Sequence, residues 1–298
     1  MAKKLFLTTA FLLTFVFASQ AQLLWKVSGN GSKGDSYLFG THHFAPNNIL
    51  DDVEGLEDAI LQSDVVIGEI VMDQINMADV QRYIMSEAMA PSDSLLTMVL
   101  SPEQITKVNS KLKKLSGGML SVEAFKMVKP IVVALQIAIF EALDNLNNVL
   151  NIGTGQIDTL IQSFAKENDI PTDGFETMEQ QTKMLLGGSI REQVDDLMKQ
   201  VENEGSNGNS DNLNSAYINR DLTELEKIMD EEFPDKDSAK YHRLVSDRNA
   251  RWIKRIQAEL PKRNVFVVVG AAHLVGADGL ITQLRDLGYT LTPVDKKR

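Results

Sequence analysis

Apolar and polar positions along the chain fall into two rhythms, short β-prone runs near both ends and helical periodicity between them. Leu23-Leu24-Trp25-Lys26-Val27 and Ser36-Tyr37-Leu38-Phe39 flank Gly29-Asn30-Gly31-Ser32, a pattern that predicts a hairpin. A helix predicted over 53–62 leads into Asp64-Val65-Val66-Ile67-Gly68-Glu69-Ile70, a short buried-strand pattern. Val265-Phe266-Val267-Val268-Val269 is nearly all β-branched, which suits a central strand covered on both faces. A helix over 279–287 and a strand over 289–293 follow. Strands alternating with helices predict an α/β fold, and the first hairpin makes its central sheet mixed.

The stretch 91–155 reads as an almost wholly helical insertion in a single domain spanning 22–298. Ser101-Pro102-Glu103-Gln104 has the residues of a capped helix start, with Ser at the cap, Pro at the first helical position and Gln reaching back from the third. Gly117-Gly118 stops that helix, and Ser189-Ile190-Arg191-Glu192 opens another. The apolar run 131–140 contains Gln136 and is too short to span a bilayer, so it reads as a buried helix. Residues 202–214 are polar and rich in Gly, Asn and Ser, and read as a mobile loop or, preferred here, as a plain surface excursion.

The first 21 residues follow a different logic. Lys3 and Lys4 precede a continuous apolar run that ends at Ser19-Gln20-Ala21, the pattern of a secretory signal peptide cleaved after Ala21. The expected location is therefore periplasmic or extracellular, with no transmembrane anchor once the leader is removed. Removing it takes two lysines and no acids, and the net charge moves from -11 to -13. No cluster of Lys and Arg stands out, so nucleic acid is not an expected partner. The chain has no cysteine, which excludes a lipid anchor on a lipobox thiol, a thiol nucleophile, a disulfide and thiolate-held zinc.

Candidate chemistry gathers where strands end. The chain has four histidines, and two of them close the motifs Gly40-Thr41-His42-His43 and Gly270-Ala271-Ala272-His273, each at the end of a predicted strand. Composition alone supplies about 0.26 Gly-x-x-His matches, so a pair at equivalent places is informative. Glycine is expected to let the backbone turn off the strand. The imidazole then stands beyond the strand's carboxyl end, where open α/β sheets place ligands. Glu69 ends a third strand. Two imidazoles and a carboxylate suit a divalent metal with open positions for water, and equally suit metal-free acid–base catalysis. Mn, Co and Zn are not separable on these donors.

Upstream of 265–269, Tyr241, Leu244, Val245, Trp252, Ile256 and Leu260 form an apolar helical stripe that includes Arg248 and Asn249. A core-facing Arg requires an anion, which here can be Glu69, a substrate carboxylate or a structural acid. Glu176, in Asp173-Gly174-Phe175-Glu176, is either a site carboxylate or an acidic residue favouring the helix that follows. The chain carries no Gly-x-Ser-x-Gly elbow, His-Glu-x-x-His, phosphate loop or dinucleotide fingerprint.

Taken together, Leu24-Trp25-Lys26-Val27, Tyr37-Leu38-Phe39-Gly40-Thr41-His42-His43, Glu69, Gly174-Phe175-Glu176-Thr177 with Gln180, Arg248-Asn249, and Val269-Gly270-Ala271-Ala272-His273-Leu274 with Gly276 and Gly279 resemble the TraB/PrgY/GumN family. That family includes the TIKI proteases. The resemblance covers nearly all of 22–298 and implies an α/β fold related to erythromycin-esterase and ChaN-type proteins. It implies a divalent-metal-dependent peptidase acting on a peptide or small-molecule substrate. The metal then falls to His43, His273 and Glu69, with Glu69 and Arg248 catalytic and His42, Glu176, Asn249, Gly40 and Gly270 supporting. A non-catalytic peptide- or haem-binding protein of the ChaN type is the alternative. The adjacent His42 leaves open which histidine of the first motif is the ligand.

Overall fold

In a computed structural model of the chain, residues 22–42, 51–71, 77–148, 157–202 and 207–294 are described. The leader and His43 lie outside them. Among these residues, β1 (Leu24–Ser28), β2 (Ser36–Thr41), β3 (Val65–Gly68), β4 (Thr172–Gly174), β5 (Val265–Gly270) and β6 (Thr290–Pro293) form one mixed sheet in the order β4-β3-β5-β2-β1-β6. The hairpin forms as its turn residues require: β1 and β2 pair antiparallel, with Leu24 opposite Phe39. β6 pairs antiparallel with the other side of β1. The remaining pairings, β2 with β5, β5 with β3 and β3 with β4, are all parallel.

β5 is the central strand that its composition predicts. Val265 to Val269 alternate between the two sheet faces, yet all five are buried, so both faces are covered. Helices Leu56–Leu61, Ile157–Glu167, Asp247–Glu259 and Leu280–Asp286 contribute to this core through Leu56, Ile60, Ile161, Trp252, Ile256, Leu280 and Leu284. The parallel arrangement sends the carboxyl ends of β2, β3, β4 and β5 to one edge of the sheet.

A second apolar cluster belongs to the helical part. Leu96, Leu100, Val108, Leu112, Val122, Val133 and Ile137 pack with Leu197, Met198 and Val201. The lobe is thus built from two separate stretches of sequence, because helix Ile190–Glu202 completes the core of helices Pro102–Leu115 and Pro130–Asn148. The Ser101 capping box forms as expected, with Ser101 Oγ accepting from Gln104 N and Gln104 Oε1 accepting from Ser101 N. No helix among the described residues is long and apolar enough to cross a membrane.

One expectation fails. The stretch 202–214 is not a single loop, because helix Asn207–Ile218 occupies most of it. Gly, Asn and Ser are poor helix formers, but tertiary packing overrides that weak preference. Ala216 and Tyr217 are buried in the main core, alongside Leu222 and Leu225 of helix Leu222–Glu232.

Candidate functional site at the carboxyl ends of the parallel strands

Four acidic and basic side chains meet where β3 and β5 end. β3 stops at Gly68, but backbone pairing continues one step further, with Phe175 N–H donating to Gly68 O and Glu176 N–H to Glu69 O. This extension brings Glu69 and Glu176 side by side. Glu176 therefore lies before the helix Met178–Leu185, whose cap is Thr177, so it is not a first-turn residue, and its carboxylate is buried against Arg248.

Arg248 and Asn249 come from the opposite direction. A π-helical turn, His242–Ser246, leads into helix Asp247–Glu259, and such turns are frequent at functional sites. Arg248 and Asn249 are buried at the start of the helix, with Trp252 one turn on. The Arg248 guanidinium packs 4.5 Å above the Trp252 ring, whose other neighbours are His273, with ring centroids 4.5 Å apart, and Phe175, stacked at 5.2 Å.

Every N–H of Arg248 is used inside the protein. Nε donates to Glu176 at 2.9 Å, and Nη2 to Glu176 at 2.9 Å and to Glu69 Oε2 at 2.5 Å. Nη1 donates to Leu244 O at 3.3 Å and to His273 Nε2 at 2.8 Å. That uses the five donors of a guanidinium. Of the three anions open to Arg248, the structure supplies Glu69 and Glu176, and no donor remains for a substrate carboxylate.

His273 follows β5 in the short turn Ala271–His273 and is 5% exposed. Asn249 fixes its tautomer. The Asn249 amide nitrogen donates to His273 O at 3.2 Å and to Asp278 O at 2.7 Å, so its oxygen faces His273 Nδ1 at 2.8 Å and accepts that proton. Nε2 is left as the lone-pair nitrogen. Burial pushes the imidazole down to about 4; attraction to Glu69 works against this and Arg248 adds to it. At neutral pH the ring is uncharged.

Glu69 is held in the opposite sense. Burial alone would raise its carboxyl, but His273, Arg248 and the Gly270 N–H together lower it to about 2. With His273 neutral near pH 7, the cation facing Glu69 is Arg248. Oε1 accepts from Gly270 N at 2.8 Å, and Oε2 accepts from Gln181 Nε2 at 2.9 Å as well as from Arg248. Gln181 escaped the sequence reading because a polar residue on a capped helix carries no periodic mark. Trp252 read only as core, although it also forms one wall of the site.

The two motif glycines do not act as hinges. Neither Gly40 nor Gly270 has a positive φ, and both lie within their strands. What matters is the missing side chain. A Cβ on Gly40 would stand 2.9 Å from Leu274 Cδ1 and 3.1 Å from Ala271 Cα, in the contact that seats the β5 turn against β2. A Cβ on Gly270 would lie 3.4 Å from Glu69 Oε1 and 3.8 Å from His273 Cδ2.

His42 takes a different partner from these residues. Its Nε2 lies 2.7 Å from Asn214 Oδ1, and its ring lies 5.5 Å from that of Tyr217, whose hydroxyl donates to Gly40 O. Thr41 beside it donates to Asp158.

A divalent cation needs an ionised carboxylate and a neutral imidazole with a fixed second nitrogen. Glu69 and His273 meet both conditions, so their donor chemistry fits. Their inward lone pairs, however, are bonded to Arg248. Among the described residues no three His, Asp or Glu side chains are grouped to hold a metal ion.

The structure thus brings Glu69, Arg248, His273, Asn249, Glu176 and Gly270 into one cluster. It also sets the two Gly-x-x-His strands beside each other, with Thr41 opposite Gly270. No curated protein and no solved structure matches the chain. The model of the TraB/PrgY/gumN family matches residues 23–293, nearly the whole length, and the chain belongs to that family.

Proposed function

We propose that the chain is an exported metal-dependent hydrolase, with a peptide bond as its favoured target, and that the cluster at the ends of β3 and β5 is its active site. The observation that carries this reading is the pairing of an ionised Glu69 with a neutral His273 whose Nδ1 proton is fixed by Asn249, at the carboxyl ends of adjacent parallel strands. Export rests on the leader pattern of residues 1–21, and the preference for peptides on the family resemblance.

Glu69, His273 and His43 would hold the cation. When bound, it would lower the pKa of a water and stabilise a developing oxyanion. The protein's own groups prepare for this. Asn249 keeps the His273 proton at Nδ1 and presents Nε2. Gln181 and the Gly270 N–H orient the Glu69 carboxylate. Held near 2, Glu69 serves as an anionic ligand rather than a proton carrier.

The test is cleavage of a mixed peptide pool by purified protein, by chelator-treated protein, and by treated protein with Mn²⁺, Co²⁺ or Zn²⁺ restored. Cleavage that disappears with chelator, returns with metal and is absent in Glu69→Gln supports the reading. Full activity in metal-free protein removes the metal from it, and no cleavage under any condition removes the hydrolase.

A further inference from the structure

Arg248 presents an unusual environment for an ion pair. Its guanidinium bonds three groups, Glu69, Glu176 and His273, and among them it occupies the lone pairs of Glu69 and His273 that a cation would need. His273 is buried and the Glu69 and Glu176 side chains are 13% and 5% exposed, and a carboxylate largely shielded from water is costly without a partner. The cluster contains two acidic groups and one guanidinium, while Arg251 reaches Glu176 only from the exposed rim, at 3.5 Å. With Arg251 counted, two carboxylates face two guanidiniums, so a divalent cation entering the cluster would have to displace one of these contacts. The nitrogen on which such a cation would bind, His273 Nε2, is the one that Arg248 Nη1 occupies.

We propose that Arg248 is a positioning residue standing in a divalent cation's place, so that the Arg248–His273 hydrogen bond and cation binding at Glu69 and His273 exclude one another. This rests on the metal-dependent reading above. In the cation-free protein Arg248 keeps Glu69 ionised, Glu176 paired and His273 oriented. A bound cation takes over His273 Nε2, and Arg248 keeps its two-pronged contact with Glu176. While the Arg248–His273 bond is in place all five donors are engaged, and Arg248 makes no contact with substrate.

Two measurements on the purified, chelator-treated protein test this. The first is titration with Co²⁺ alone, followed by visible absorption and calorimetry, in wild type, Arg248→Lys and Arg248→Ala. Arg248→Ala is expected to bind Co²⁺ at least tenfold more tightly than wild type, with Arg248→Lys between them. Co²⁺ should also restore the thermal stability that Arg248→Ala loses, a rescue that a merely structural arginine would not show. The second needs no variant. Nitrogen NMR of wild type should show His273 Nε2 leaving its hydrogen-bonded position as Zn²⁺ is added, while Nδ1 keeps its proton.

The outcomes separate the two ideas. Equal or weaker Co²⁺ binding in Arg248→Ala, or Zn²⁺ binding that leaves His273 Nε2 unmoved, overturns the exclusion but leaves the metal reading intact. Tight binding in Arg248→Ala with none in wild type upholds the exclusion and removes the metal from the native protein. Absence of binding in both overturns both.

Discussion

Arg248 donates from Nη1 to His273 Nε2 at 2.8 Å, and the two residues sit on the same Trp252 ring, one through its guanidinium and one through its imidazole. This contact fixes the chemistry of the site. A guanidinium does not accept a hydrogen bond, so His273 must present its lone pair to Arg248 and carry its proton on the far nitrogen. Asn249, the next residue along the same helix, receives that proton. Two consecutive side chains thus hold both edges of one imidazole.

Replacing Asn249 tests that arrangement. Asn249→Asp puts a carboxylate against Nδ1, and the His273 pKa is expected to rise well above about 4, readable as the midpoint of its NMR titration. Asn249→Ala instead leaves the Nδ1 proton without an acceptor and two carbonyls without a donor, at a cost of about 1–3 kcal/mol in chemical denaturation. On the metal-dependent reading proposed above, affinity for the cation should also fall by about 10–100-fold, as it does when outer-shell partners of ligating histidines are removed. An unchanged His273 midpoint in Asn249→Asp would mean that Asn249 is not its partner.

The same residues set how stability depends on pH in chelator-treated protein. Unfolded His273 takes up a proton near 6.5, whereas the folded ring resists until about 4. The unfolded state therefore binds more protons in that window, and stability falls as pH drops from 6.5 toward 4. Glu69 acts in the same direction, from its ordinary 4.5 down to about 2. The His273 contribution is on the order of 3 kcal/mol in all. Urea unfolding at successive pH values should show this slope, and His273→Gln should flatten it between 6.5 and 4. Equal slopes in the two proteins would refute the assignment.

The helical lobe makes a separate prediction. Leu197 is fully buried among Leu112, Val133 and Ile137, although helix Ile190–Glu202 is distant in sequence from the others. Leu197→Ala should cost about 2–5 kcal/mol. Hydrogen exchange should quicken in helices Pro102–Leu115 and Ile190–Glu202 together, while β5 keeps its protection. Loosening confined to one of the two helices would show that they do not share a core.

Much of this was legible in the sequence where local and global preferences agree. The β-branched run 265–269 reads as a central strand, and it lies between the other Gly-x-x-His strand, β2, and the Glu69 strand, β3, as parallel α/β topology favours. The rest depends on contacts between distant segments. Glu176 looks like a residue that merely precedes a helix until Glu176 N–H pairs with Glu69 O. Residues 202–214 read as loop because the burial of Ala216 and Tyr217, which anchors helix Asn207–Ile218, cannot be seen from Asn and Ser propensities. Gln181 carries no mark at all, since its partner Glu69 is more than a hundred residues away.

The two motif glycines show how one pattern can hide two physical causes, and they should respond differently to the same change. At Gly40 an added methyl meets Leu274 and the Ala271 backbone at about 3 Å, and the backbone cannot swing aside as a flexible side chain could. Gly40→Ala should therefore destabilise by about 1–3 kcal/mol, the usual cost of overfilling a packed core. At Gly270 the nearest atoms lie at 3.4 and 3.8 Å, ordinary contact distances, and φ is −53°, which alanine adopts freely. Gly270→Ala should fold with stability within about 0.5 kcal/mol of wild type. Its effect should appear instead at Glu69 and His273, the two residues that the new methyl touches, as a change in Co²⁺ affinity or peptide cleavage. Thermal unfolding of both variants beside a Co²⁺ titration separates the cases. If Gly270→Ala proved the less stable of the pair, packing would not be what distinguishes these two glycines.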